Sequence, residues 1–131
     1  MERSRVGFGR RLDVPFAEAV GMVRGALKEQ GFGVITEIDV RKTMKEKLDI
    51  EFRDYVILGA CNPKLAHQAL STDPEIGLLL PCNVVVYADG AGSVVRALNP
   101  EAALGVAGIA ALAPVAVEAK RRLEAMIASL E

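Results

Sequence analysis

Cys61 lies in the run Gly59-Ala60-Cys61-Asn62-Pro63, where a continuous apolar stretch ends and helix-start residues follow. Asn62 is a good N-cap and Pro63 a good first helical residue, so the thiol stands at a strand-to-helix junction. The free amides and positive dipole end of a helix stabilise a nearby anion, and Lys64 adds charge, so this position favours a thiolate. The competing reading is a small buried hydrophobe, the commonest role of a free cysteine. Cys82, in Leu80-Pro81-Cys82-Asn83, joins Cys61 if the strands flanking the intervening helix are antiparallel neighbours. The end of one strand then lies beside the start of the next, and both thiols share one sheet edge.

Two thiols within reach form a reversible disulfide or bind a soft metal such as zinc or copper(I). No Cys-x-x-Cys spacing and no third or fourth ligand accompany them, so no metal set is specified. His67, the only histidine, falls outside the helix face shared by Leu65, Ala66, Ala69 and Leu70 and is expected at the surface. Turned toward Cys61 it would make a Cys-His pair with no third group to orient the base. Glycine-rich phosphate loops, Walker sequences and serine elbows are absent. The scattered carboxylates Asp39, Asp49, Glu51 and Asp54 read as caps, turns and surface charge. No catalytic residue and no cofactor is therefore assigned, and the chain reads as non-enzymatic.

Arg41, Lys42, Lys45 and Lys47, with Arg53 nearby, form the one local basic cluster, which could contact phosphates. Glu46 and Asp49 dilute it, no aromatics interleave it, and solvated helix charge is the better reading. Sixteen basic residues against seventeen acidic ones leave no whole-molecule field to steer the chain onto nucleic acid or an anionic membrane.

The elements that must position these residues follow from periodicity. Val6 to Leu12 reads as a first strand. After Val14-Pro15 a helix gathers Phe16, Val20, Val23 and Leu27 on one stripe and ends at Gly31. Phe32 to Ile38 is a second strand, and Asp39 caps a short helix in which Val40, Met44 and Leu48 share a face. Tyr55 to Ala60 is an apolar run suited to a central strand buried on both sides. A helix from Pro63 to Leu70 precedes a hairpin of Cys82 to Ala88 and Ser93 to Leu98, joined by Asp89-Gly90-Ala91-Gly92. Asn99-Pro100 breaks the strand, and a final helix beginning near Ala111 turns Ala116, Ala119, Leu123, Met126, Ile127 and Leu130 inward.

A chain of 131 residues, half of them hydrophobic and a quarter charged, is the length of one α+β domain spanning residues 1 to 131. The surplus of apolar residues is consistent with an oligomer interface. The uncharged run Ala102 to Val117 is shorter than the roughly 20 residues of a membrane span and is broken by Gly105, Gly108 and Pro114. The first residues lack a secretory pattern, so a cytoplasmic location with free thiols is expected.

Several segments together resemble one family: Gly31-Phe32-Gly33-Val34, Ile38-Asp39-Val40, Met44-Lys45-Glu46-Lys47-Leu48, Tyr55 to Pro63, and Leu80-Pro81-Cys82-Asn83-Val84. They are similar in order and spacing to the bacterial and archaeal domain of unknown function 302. The resemblance implies a TATA-binding-protein-like shape: a curved, mainly antiparallel sheet of about five strands with helices packed on one face, usually a homodimer. It implies no established activity, and the shape is no warrant for DNA binding.

Three functions are then in play. The first is a non-enzymatic homodimeric module that binds a small ligand or partner near Cys61, Asn62, Pro63, Pro81, Cys82 and Asn83. The second is a thiol-redox or soft-metal protein in which Cys61 is the reactive sulfur and Cys82 its partner. The third is nucleic-acid binding through the basic cluster.

Overall fold

In the computed structural model, which describes residues 1–130, the chain folds into a six-stranded antiparallel sheet with helices packed against it. In chain order the strands are β1 (Glu2–Arg3), β2 (Gly7–Leu12), β3 (Gly33–Asp39), β4 (Tyr55–Cys61), β5 (Cys82–Asp89) and β6 (Gly92–Leu98). The helices are α1 (Phe16–Glu29), α2 (Val40–Leu48), α3 (Pro63–Thr72), α4 (Pro100–Gly105) and α5 (Ala113–Ser129). Across the sheet the order is β1-β2-β6-β5-β4-β3. The α+β, mainly antiparallel architecture agrees with the sequence reading. The strand beyond the five expected is the two-residue β1, too short for a periodicity signal.

Alternation along the strands sends Phe8, Leu12, Val56, Leu58, Val84, Val86, Val95 and Ala97 to one face, where all are buried. Ala19, Val23 and Leu27 of α1 and Leu123, Met126 and Ile127 of α5 close this core, as their helical spacing predicts. Ser93 is fully buried among them, and its hydroxyl donates to the Val14 carbonyl at 2.9 Å. A second cluster gathers Ala69, Ile76, Leu104, Leu112, Val115 and Ala116. It is built from α3, α4, the first turns of α5 and two 3₁₀ segments, Pro74–Leu79 and Ala110–Leu112.

Several expectations need correction. Phe32 is not the first residue of β3 but a buried core residue in the turn before it, and β3 is a largely exposed edge strand. β4 is not buried on both sides: Val56, Leu58 and Ala60 are covered, while Tyr55 and Ile57 on the opposite face are only half-buried. The reason is that α1 and α5 lie on the same face of the sheet. After the break at Asn99-Pro100 a short helix not expected from the sequence, α4, forms, its Asn99 cap accepting from the Glu101 amide. The last helix begins at Ala113, after a 3₁₀ turn.

The β2–β6 pairing admits no side chain at Gly9, where a Cβ would stand 1.9 Å from the Val95 carbonyl oxygen. That neighbour is ladder backbone and cannot turn aside. Gly9→Ala is expected to destabilise the fold by about 3 kcal/mol or more in urea denaturation, and an unchanged midpoint would show that the β2–β6 ladder is looser than described.

Candidate functional site

β4 ends and β5 begins at the same edge of the sheet. Ala60 stands opposite Cys82, and Cys61, one residue on, stands opposite Gly33. The antiparallel neighbours on which the two-cysteine argument rests are therefore present, and both thiols are free and half-buried. Beyond Cys61 the chain turns into α3. Asn62 Oδ1 accepts from the Leu65 amide at 3.1 Å, and Pro63 occupies the first helical turn. This cap takes one of the amides that would otherwise be available to an anion at Cys61.

An apolar cavity of about 250 Å³ opens at this edge. It lies on the seam between the two hydrophobic clusters: Phe32 and Ala60 line it from the larger, and Ala69, Leu104 and Val115 from the smaller. α3 adds Leu65, Ala66 and Leu70, and α5 adds Ala119. Ile35 reaches it from the bulge where the β3–β4 register shifts between Val34 and Thr36. The alanines explain the space, since larger side chains at these positions would bring the clusters into contact.

The structure brings Cys61, Asn62, Pro81 and Cys82 together around this cavity. Pro63 and Asn83 are not among its walls. Pro63 is exposed at the start of α3, and Asn83, paired with Gly59, is exposed on β5 one position out of phase with Cys82 and Val84. Pro81 follows a cis peptide bond and packs over Gly59, where an added Cβ would lie 2.8 Å from its Cγ. Burial pushes the Cys82 thiol up to about 11, with Cys61 nearby adding to the effect. At neutral pH Cys82 is thus an uncharged thiol and acts as a small apolar wall.

His67 is exposed, its Nε2 lying 3.5 Å from the Ser71 hydroxyl, and it is not a cavity residue. Among the described residues no group of three or more His, Cys, Asp or Glu side chains gathers. A soft metal at this edge would have the two thiols for ligands.

The basic cluster on α2 is laced to carboxylates. Arg41 contacts Asp54 at 3.0 Å and Glu51 at 3.7 Å, Lys42 reaches Glu46 at 4.0 Å, and Lys45 meets Asp49 at 2.7 Å and Glu51 at 3.6 Å. Exposed pairs of this kind contribute little to stability, but they compensate the charge a phosphate would need.

Sequence reasoning singled out the cysteine edge but not the opposite walls. Leu104, Val115 and Ala119 come from a segment more than twenty residues downstream of Cys82, and as apolar residues they carry no mark that separates a cavity wall from core.

No curated protein matches the chain. The crystal structure of an uncharacterized conserved DUF302 protein from Bacillus stearothermophilus is similar over 95% of this chain and 98% of that one, with 27% identity and a TM-score of 0.87. The family model described as "Domain of unknown function DUF302" matches residues 8–130, and on that match the chain belongs to the DUF302 family.

Proposed function

We propose that this protein is a non-enzymatic, homodimeric module of the cytoplasm that holds a small molecule in the cavity beside Cys61, Asn62 and Cys82. The observation that carries the reading is the cavity itself: concave, apolar on nearly all sides, with few polar atoms converging on it. Binding sites for small molecules have this character. An apolar cavity of roughly 150 Å³ already holds benzene, and this one is about 250 Å³.

A second reading, thiol redox or soft-metal binding, is favoured by one observation: the two thiols share one cavity at adjoining strand ends. The raised Cys82 pKa ranks it below the first, because metal ligation needs both sulfurs as thiolates and a thiol of high pKa is a slow leaving group in disulfide exchange. The ion pairs on α2 give the nucleic-acid reading no support.

The homodimer is supported by the sheet face opposite α1 and α5. Ile38, Ile57 and Val85 fall there in register, and Ile38 is 48% exposed. Clustered apolar exposure of this kind marks interaction surfaces.

Three measurements test these statements. With 1-octanol as probe, saturable amide shifts are expected in residues 60–66, 80–82 and 115–119 by two-dimensional NMR, and Ala66→Phe should abolish them; a wild type without saturable shifts would refute the cavity reading. Because the Cys82 pKa is raised to about 11, its thiolate fraction is small at pH 7 and grows about tenfold per pH unit until that value. Iodoacetamide should therefore label Cys82 slowly at neutral pH, faster with each unit of pH, and more slowly with 1-octanol present; labelling at pH 7 as fast as in the unfolded chain would promote the redox reading. Ile38→Glu should convert a dimer to a folded monomer by light scattering, and a wild type that is already monomeric would remove the dimer.

A further inference from the structure

We infer that the cavity takes an amphipathic monocarboxylate, its hydrocarbon body among the apolar walls and its carboxylate held at the rim by Asn62 Nδ2 and Arg122. This rests on the cavity reading above and adds the chemical class of the ligand.

The first support is an unused donor. Asn62 is only 8% exposed, and its side-chain orientation is fixed by the cap: Oδ1 faces the Leu65 amide, so Nδ2 points the other way. Nδ2 makes no hydrogen bond among the described residues. No sealed side-chain nitrogen or oxygen there lacks a partner, so Nδ2 faces accessible space. Asn62 is a wall residue of the cavity, and its Nδ2 lies 3.1 Å from a Cβ built on Gly31, which with Arg122 stands outside the walls, so the open donor sits at the cavity's edge.

The second support is a cation brought to the same point. Arg122 lies three residues beyond the cavity residue Ala119 on α5, hence on the same side of the helix. Its Nη1 donates to the Gln30 carbonyl at 3.1 Å and its Nε to Glu118 Oε1 at 2.8 Å, which leaves Nη2 uncommitted. The Glu118 carboxylate does not neutralise it alone. Arg121 shares the same carboxylate through contacts of 2.6 and 3.0 Å, so two guanidiniums face one carboxylate and one positive charge remains. Those hydrogen bonds, from Arg121 first and Arg122 second, hold Glu118 down at about 2, so the group stays in this charge state across the physiological range.

Gly31 joins the two donors. It adopts φ +81, and a Cβ built on it would lie 2.8 Å from Arg122 Nη1 and 3.1 Å from Asn62 Nδ2. Both donors thus converge on the bare side of one glycine, next to the cavity residue Phe32. A carboxylate is the group that suits an amide N–H and a guanidinium together. An uncharged apolar ligand would leave both donors unpaired, at a cost to affinity. By proportion to the benzene-sized cavity, the available volume admits a ligand of about ten non-hydrogen atoms, which fits a medium-length acyl chain.

The test compares octanoate with 1-octanol by isothermal titration calorimetry on the full chain. Octanoate is expected to bind about tenfold or more tightly than 1-octanol, the difference a hydrogen-bonded charge supplies. Asn62→Asp keeps the capping oxygen but replaces the donor with a like charge, and Arg122→Gln removes the cation. Each should weaken octanoate about tenfold or more while 1-octanol binding stays unchanged, which also reports that the variant is folded. If 1-octanol binds the wild type as well as octanoate does, the carboxylate inference fails and the cavity reading stands. If neither binds, the cavity reading itself fails. A variant that folds and binds octanoate like the wild type removes its residue from the rim.

Discussion

The packing of α5 against two separate hydrophobic clusters sets the geometry of everything else. Its C-terminal half inserts Leu123, Met126 and Ile127 between α1 and the sheet, while its first turns place Val115 and Ala116 against α3 and α4. One rigid helix therefore fixes the distance between the clusters. The residue at the crossing is Ala119, whose small side chain does not fill the span between them. The cavity is that unfilled span, and the cysteine edge borders it because β4 and β5 end there. Arg122, one turn further along, reaches the turn after α1 at the Gln30 carbonyl and ties the rim to the same scaffold.

Local chemistry wrote much of this into the sequence. Asn62-Pro63 starts α3 as its capping pattern requires, and the Asp89 to Gly92 turn closes the hairpin in register. The 3.6-residue stripe of α5 buries the residues it names, and that of α1 buries Val23 and Leu27 with Phe16 and Val20 half-buried against the same core. The antiparallel pairing of β4 and β5, which the sequence reading took as a condition, is present and places Cys61 and Cys82 at one edge. What failed had non-local causes. A β-branched run such as Val34 to Ile38 looks the same in a central strand as in an edge strand, and only the sheet order makes β3 exposed. The six apolar residues Tyr55 to Ala60 suggested cover on both faces, whereas one-sided helix packing leaves Tyr55 and Ile57 half open.

The site was legible only in part, for a related reason. Cysteine, asparagine and proline at a strand end stand out because each has specific chemistry, so Cys61, Asn62, Pro81 and Cys82 were singled out, and all four border the cavity. Pro63 and Asn83 are adjacent in sequence to cavity residues, but helix entry and strand alternation turn them elsewhere. Arg122 was one of two adjacent arginines on a charged helix, and Gly31 read as a helix terminator. Their meeting is a product of the turn between α1 and β3 docking against α5, which no spacing rule expresses.

The walls argue for occupancy on energetic grounds. Apolar walls that face an open cleft forgo dispersion contacts and burial, about 25 cal/mol for each Å² left uncovered. The cost is not imposed by the backbone, since Ala66, Ala69 and Ala119 sit on helices where a leucine is as good a helix former. A larger side chain at any of them would recover part of the loss by joining the clusters. The binding proposal accounts for alanines kept on three sides and, among the described residues, no sealed polar atom without a partner: a bound molecule would complete the packing. On the proposed reading the walls call for hydrocarbon over nearly all of that molecule's surface, with a single acceptor end toward Asn62.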